Sequence, residues 1–133
     1  TYHSHFEITD GADLKKANFC TAPGIRKPLN NVFTEFIGTF VLMFGALSFT
    51  DPAASMGTLN ALPVSLVVLG IGLSLGGPTG YAINPARDLG PRIAHFILPI
   101  KGKRDSDWGY SWVPIVGPIA GAVLAAVLFK QLN

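Results

Sequence analysis

Apolar and polar positions fall in long blocks along this chain. Residues 32–49 read VFTEFIGTFVLMFGALSF, 18 positions in which Glu35 is the only charged side chain. That is about the shortest apolar run that crosses a hydrocarbon core as a helix. The pair Asp51-Pro52 stops it. Residues 59–75 form a second run, mostly Leu, Val, Ile and Gly with Pro63 near its start, and residues 112–129 form a third. Between these two lies a stretch of different character, residues 76–92, which reads GGPTGYAINPARDLGPR. Asn84 suits a helix cap and Pro85 the first helical position, where no backbone N–H is needed. Residues 76–83 are therefore expected as an extended, glycine-rich loop and residues 85–98 as a helix. At ~1.5 Å per residue that helix reaches ~21 Å, short of a ~30 Å hydrocarbon core, so it enters and returns to the same side. Irregular backbone survives at membrane depth only where protein buries it or where it lines a water-filled cavity, which makes the loop a pore wall. The expected fold is an all-α membrane protein with three transmembrane helices and one re-entrant half-helix.

The glycines support close packing. Gly70, Gly72 and Gly76 leave room for another backbone or a solute, and Gly117 with Gly121 forms a small-xxx-small face. Residues 1–31 are polar and mixed, with turns at Asp10-Gly11 and Pro23-Gly24, and are expected as an extramembrane loop. Pro99 ends the half-helix. The loop that follows, 99–111, is charged, and Trp108, Tyr110 and Trp112 mark an interfacial belt. Lys15, Lys16, Arg26, Lys27, Lys101, Lys103 and Arg104 all belong to the side that carries residues 1–31. The opposite side has Lys130 alone, because residues 51–60 contain no Lys or Arg. By that count residues 1–31 are cytoplasmic. The chain opens without Met, as if in mid-loop, and is expected to be a piece of something longer.

Composition narrows the function. The chain is 49% hydrophobic and 14% charged, where a soluble domain carries about a quarter charged residues. A net charge of +2 scattered around apolar spans does not suit nucleic acid. Cys20 is alone, so it supplies neither an intrachain disulfide nor a metal framework. His3, His5 and Glu7 lack a second ligand pair and read as a solvated loop. No cofactor is expected. His95 and Asp88 can be drawn with a serine as a triad, but no nucleophile elbow or zinc spacing accompanies them, and no enzyme activity is expected.

Residues 80–92, GYAINPARDLGPR, resemble the second half of a major intrinsic protein (aquaporin superfamily). An Asn-Pro-Ala alone is common; NPARDLGPR preceded by GPTG, between two apolar spans, is specific. The resemblance also takes in the Glu35 span and the final WVPIVGPIAGA. It implies that residues 32–133 form the second of two inverted repeats, with spans near 32–49, 59–75 and 112–129 and the re-entrant part near 76–98. It implies a first-half repeat as partner, a homotetramer in the lipid bilayer of the cell membrane, and residues 1–31 outside the cell. The last point opposes the Lys/Arg count, and the motif takes precedence.

Five positions resemble the aquaglyceroporin, or glycerol facilitator, branch: Gly72 where water pores have His, Tyr81, Asp88, Arg92, and the pair Pro114-Ile115. Arg87 is common to both branches. The resemblance makes Gly72, Tyr81 and Arg87 the selectivity filter and Asn84, Pro85 and Ala86 the pore motif. In that picture Arg87 offers a fork of donors to neighbouring hydroxyls, and Tyr81 an aromatic face for the carbon edge opposite. Gly72 leaves space that a side chain would fill. The carbonyls of Gly80, Tyr81, Ala82 and Ile83 are free to accept hydrogen bonds from a file of solute, and the Asn84 amide donates. Asp88 offsets part of the positive charge of Arg87 and the helix N-terminus. Arg92 ties the half-helix to nearby carbonyls, and His95 is a packed or interfacial residue, with gating as the alternative. Glu35 either accepts hydrogen bonds from the backbone of the loop, as the family suggests, or is a protonated acid near the interface. The implied function is a passive channel for glycerol, other small neutral solutes and water that excludes ions and protons. The alternatives are a water-selective pore of the same family and, less well supported, a half-repeat of a secondary transporter.

Overall fold

A computed structural model describes residues 3–49 and 57–132. The described residues are helical, with no strand among them. Two short helices, α1 (His3–Ile8) and α2 (Ala12–Ala17), precede four longer ones: α3 (Pro28–Ser48), α4 (Leu62–Thr79), α5 (Pro85–Ile97) and α6 (Val113–Leu132). Single 3-10 turns, Gly57–Leu59 and Trp108–Tyr110, lead into α4 and α6. Three segments, Pro28–Ser48, Gly57–Thr79 and Trp108–Leu132, are long and apolar enough to cross a membrane. The Asp51-Pro52 stop lies outside the described residues.

Several boundaries differ from the sequence expectation. Residues 1–31 are no plain loop, since α1 and α2 lie within them and α3 begins at Pro28. The half-helix ends at Ile97, with Leu98 as its extended cap. The largest difference is at residues 76–79, which continue α4 as helix through Gly76, Gly77 and Pro78. Helix-breaking residues lose weight where every backbone group needs an internal partner, because an unbonded amide in hydrocarbon costs more than the propensity of glycine. The stop is delayed to Gly80, which takes the left-handed conformation (φ 76°) and donates its N–H to Gly76 O at 2.8 Å, an arrangement that glycine adopts without a Cβ penalty.

The core lies where α3 packs on α6 and α4. Gly117 and Gly121 make the α3–α6 approach possible. A Cβ on Gly117 would stand 2.8 Å from both Glu35 Cβ and Val32 O, and one on Gly121 would run into the backbone of Phe36 and Phe40. On the other side of α3, Gly38 leaves the space that Ile83 and Ile71 fill. Outside the bundle, α2 and the segment after it are pinned to the loop between α5 and α6. Lys15 is buried and donates to Lys101 O at 2.8 Å, and Arg104 pairs with Asp13 at 2.8 Å.

Candidate functional site: the loop between α4 and α5

Five residues, Gly80 to Asn84, join α4 to α5, and two of the first four hold conformations uncommon for their type. Tyr81 has φ 38° and Ile83 φ 44°. Left-handed backbone at a non-glycine residue costs on the order of 1–3 kcal/mol and persists only where its surroundings fix it. Here the fixing group is Glu35. Its carboxylate is 1% exposed and accepts from Ala82 N at 3.0 Å and from Ile83 N at 2.6 Å, one bond to each oxygen. Charge-assisted bonds to backbone N–H groups are stronger than neutral ones and satisfy a carboxylate that burial would otherwise penalise.

The start of α5 is capped as its sequence suggests. Asn84 is extended and its Oδ1 accepts from Ala86 N at 2.9 Å and Arg87 N at 3.4 Å, with Pro85 in the first helical position. Asn84, Ala86 and Arg87 are exposed, so the polar tip of α5 faces open space.

Tyr81 and Arg87 do not face each other across a gap, as the sequence reading has it. The Arg87 guanidinium lies over the Tyr81 ring, 4.6 Å from its centroid, and its Nη1 donates to Tyr81 O at 3.0 Å and Gly80 O at 3.4 Å. Two of the four loop carbonyls therefore already have a protein donor, leaving each one further lone pair. Among the described residues Nε and Nη2 of Arg87 make no hydrogen bond. Donor fork and aromatic face form one continuous corner.

Gly72 also differs from expectation. A Cβ on Gly72 would lie 3.3 Å from Tyr81 Cζ and 3.4 Å from Cε2. The space that the glycine opens holds the tyrosine ring. Together Gly72 and Tyr81 border an open groove along α4 that Ser65, Val68, Leu69 and Leu73 complete.

Behind this corner sits a buried polar cluster. Asp88 and Arg92, one turn apart on α5, are both 0% exposed. Arg92 uses all five of its N–H donors: two bonds to Asp88 at 2.7 Å, Ser106 O at 2.6 Å, Asp107 O at 2.9 Å and Thr21 O at 3.0 Å. Asp88 further accepts from Thr21 N at 3.0 Å and Thr21 Oγ1 at 2.5 Å. The carboxylate is committed to Arg92 and Thr21 and makes no hydrogen bond to Arg87. Thr21 escapes sequence reasoning, since no local pattern marks a threonine 67 positions from its partner. His95 is fully buried, with Nδ1 2.8 Å from Ser106 Oγ and its ring 5.5 Å from that of Phe19. Pro114 is fully buried in the first turn of α6 and Ile115 is half-buried beside it.

Nearer the surface, Asp107 binds the Arg26 guanidinium through both oxygens. Burial raises the Asp107 pKa, but the hydrogen bond from Arg26 and the charges of Arg26, Lys16 and Arg92 outweigh it and hold the carboxyl below its ordinary value. Arg26 in turn lies over the Tyr110 ring at 5.2 Å.

Comparison with known proteins identifies the family. The family model described as "Major intrinsic protein" matches residues 6–129. The chain is 59% identical over 132 residues to a probable glycerol uptake facilitator protein of Thermotoga maritima, covering 99% of this chain and 56% of that one. It is 55% identical over 131 residues to glycerol uptake facilitator protein 3 of Lactiplantibacillus plantarum, covering 98% and 54%. Among solved structures it resembles the aquaglyceroporin from Plasmodium falciparum, with a TM-score of 0.77 and 27% identity, over 98% of this chain and 55% of that one. The chain thus spans about half the length of the relatives it matches.

Proposed function

The chain belongs to the major intrinsic protein family, and from that premise we propose that it forms one half of a passive membrane channel for glycerol, other small neutral solutes and water. The observation that carries the reading is the Tyr81–Arg87 corner beside Gly72. A polyol has hydroxyls along one edge and C–H groups along the other. The unbonded N–H groups of Arg87 match the first and the tyrosine ring the second, from adjacent rather than opposed surfaces. Each hydroxyl then exchanges water for a protein partner, so passage avoids the full cost of stripping a polar group. In this reading Gly72, Tyr81 and Arg87 form the filter, Asn84, Pro85 and Ala86 the pore motif, and the loop carbonyls from Gly80 to Ile83 the acceptors of a solute file.

The same parts disfavour ions. The N-terminus of α5 carries roughly +0.5 elementary charge, and Arg87 adds a full one. Asp88, bound to Arg92, leaves that charge uncompensated at the lumen. A cation or excess proton meets positive potential in a low-dielectric wall.

The names of the relatives support glycerol as permeant, and the matching share of their length supports a first-half repeat as the partner that completes the pore. We assign the whole to the cell membrane as a homotetramer, with residues 1–31 extracellular, and assign it no catalytic step. Light scattering of vesicles that carry the intact channel, shrunk in a glycerol gradient, tests the reading. Re-swelling faster than in empty vesicles is the expected result. Fast water flux without glycerol flux would favour the second reading, a water-selective pore.

A further inference from the structure

The tyrosine of the corner rests on two glycines. A Cβ on Gly76 would stand 3.1 Å from Tyr81 Cδ1 and 3.5 Å from Cε1, and one on Gly72 would stand 3.3 to 3.7 Å from Cζ, Cε2 and Cδ2. Five of the six ring carbons thus lie close to one or other of these two positions. Gly72 underlies the face of the ring, whereas Gly76, within 4 Å of Cδ1 and Cε1 alone, meets its edge. Gly72 and Gly76 are four residues apart, about one helical turn and ~6 Å along the axis, so one receives the face of the ring and the other its edge. The Arg87 guanidinium, 4.6 Å from the centroid, must lie over the opposite, outward face. The neighbouring Gly77 has nothing within 4 Å of its Cβ position.

We infer that Gly76 is a positioning residue for solute selection: it sets where the edge of the Tyr81 ring stops, and with it the width of the opening beside Arg87. The backbone of Tyr81 cannot yield, because its left-handed φ and the Glu35 bonds to the next two residues fix it. Any displacement must come from the ring. A methyl at Gly76 is too close to Cδ1, so the ring shifts edge-first away from Gly76 and into the opening beside Arg87. The inference rests on the channel reading above and deepens it, since Gly76 touches only the ring and not the permeant.

The test measures glycerol and water flux of the intact channel in vesicles, normalised to inserted protein, for Gly76→Ala, Gly77→Ala, and Gly76→Ala combined with Tyr81→Phe or Tyr81→Ala. Gly76→Ala should lower the ratio of glycerol to water flux by about tenfold, the discrimination that one methyl group achieves in a close-fitting site. Gly77→Ala should leave the ratio unchanged. The loss should persist with Tyr81→Phe, which keeps the ring, and vanish against Tyr81→Ala alone, which removes it. An unchanged ratio in Gly76→Ala overturns the inference, as does a loss that persists with Tyr81→Ala. Should Gly76→Ala fail to insert, restored insertion on adding Tyr81→Ala supports the ring contact, and no restoration overturns it. A wild-type channel that passes water but no glycerol overturns the functional reading instead, and the seat is then tested by water flux across the same variants.

Discussion

Arg92 grips Asp88 from one turn further along α5, with Nε on Oδ2 and Nη2 on Oδ1, both at 2.7 Å and both side chains out of contact with solvent. The pair is the knot that joins three parts of the chain: the segment at Thr21, the start of α5 and the turn at Ser106–Asp107. Breaking a buried pair from one side leaves an uncompensated charge, at a cost of about 3–5 kcal/mol.

Arg92→Met should therefore strand Asp88 and destabilise the channel by about that amount. Thermal unfolding in detergent measures it. Adding Asp88→Asn removes the stranded charge and should recover part of the loss; a double variant no more stable than Arg92→Met would show that the charge is not the cause.

Glu35→Gln keeps the shape of the side chain but leaves one acceptor oxygen where two N–H groups need one each. One amide of the loop is then unsatisfied, at about 1–3 kcal/mol. The uncommon backbone at Tyr81 and Ile83 loses half its anchor. Lower melting temperature and lower flux are expected together, and a variant normal in both would remove Glu35 from the role of loop anchor.

Gly72→His places a ring where Tyr81 already lies, 3.3 Å from the new Cβ. The tyrosine must swing away from α4, and the imidazole fills the edge of the groove. Glycerol flux should fall by about tenfold or more while water still passes. Vesicle shrinkage and re-swelling report both, and unchanged glycerol flux would mean that Gly72 does not border the narrowest ring.

Acid should loosen the contact between the N-terminal segment and the turn before α6. The Asp107 carboxyl is held below its ordinary pKa of 3.8 when folded. A depressed folded value contributes stability that is complete above the unfolded pKa and lost as pH falls through the folded one. Asp107→Asn should accordingly lower the melting temperature by a constant margin above about pH 4, and the gap to wild type should close below it. A gap that does not change with pH would separate Asp107 from the titration.

The legible parts of the fold were those in which one residue type answers one local need. Asn84-Pro85 announces the start of α5 because cap and first-turn chemistry act within three residues. Gly117 and Gly121 announce close packing by their spacing, and the backbone of α3 occupies that space. The end of α4 was not legible, because Gly76, Gly77 and Pro78 are breakers in water and tolerable in a helix whose amides have nowhere else to bond. The helices α1 and α2 were hidden for a related reason, since ion pairs with residues 101–107 hold α2 and no apolar period marks it. At the site, the adjacency of the side chains was not legible. Sequence spacing carries no sign that Arg87 would fold back over Tyr81, or that the tyrosine would take the room left by Gly72.

The far end of α5 has its own cation. Lys103 Nζ donates to the terminal carbonyls of His95, Phe96 and Leu98. A free helix presents about +0.5 at one tip and −0.5 at the other. A full ammonium on the negative tip reverses its sign, so α5 carries positive charge at both ends. Its potential then resembles that of a lone charge more than that of a dipole, and falls off with distance rather than with distance squared. A cation approaching Asn84 meets repulsion that reaches further along the lumen, with no attractive lobe one helix length behind it.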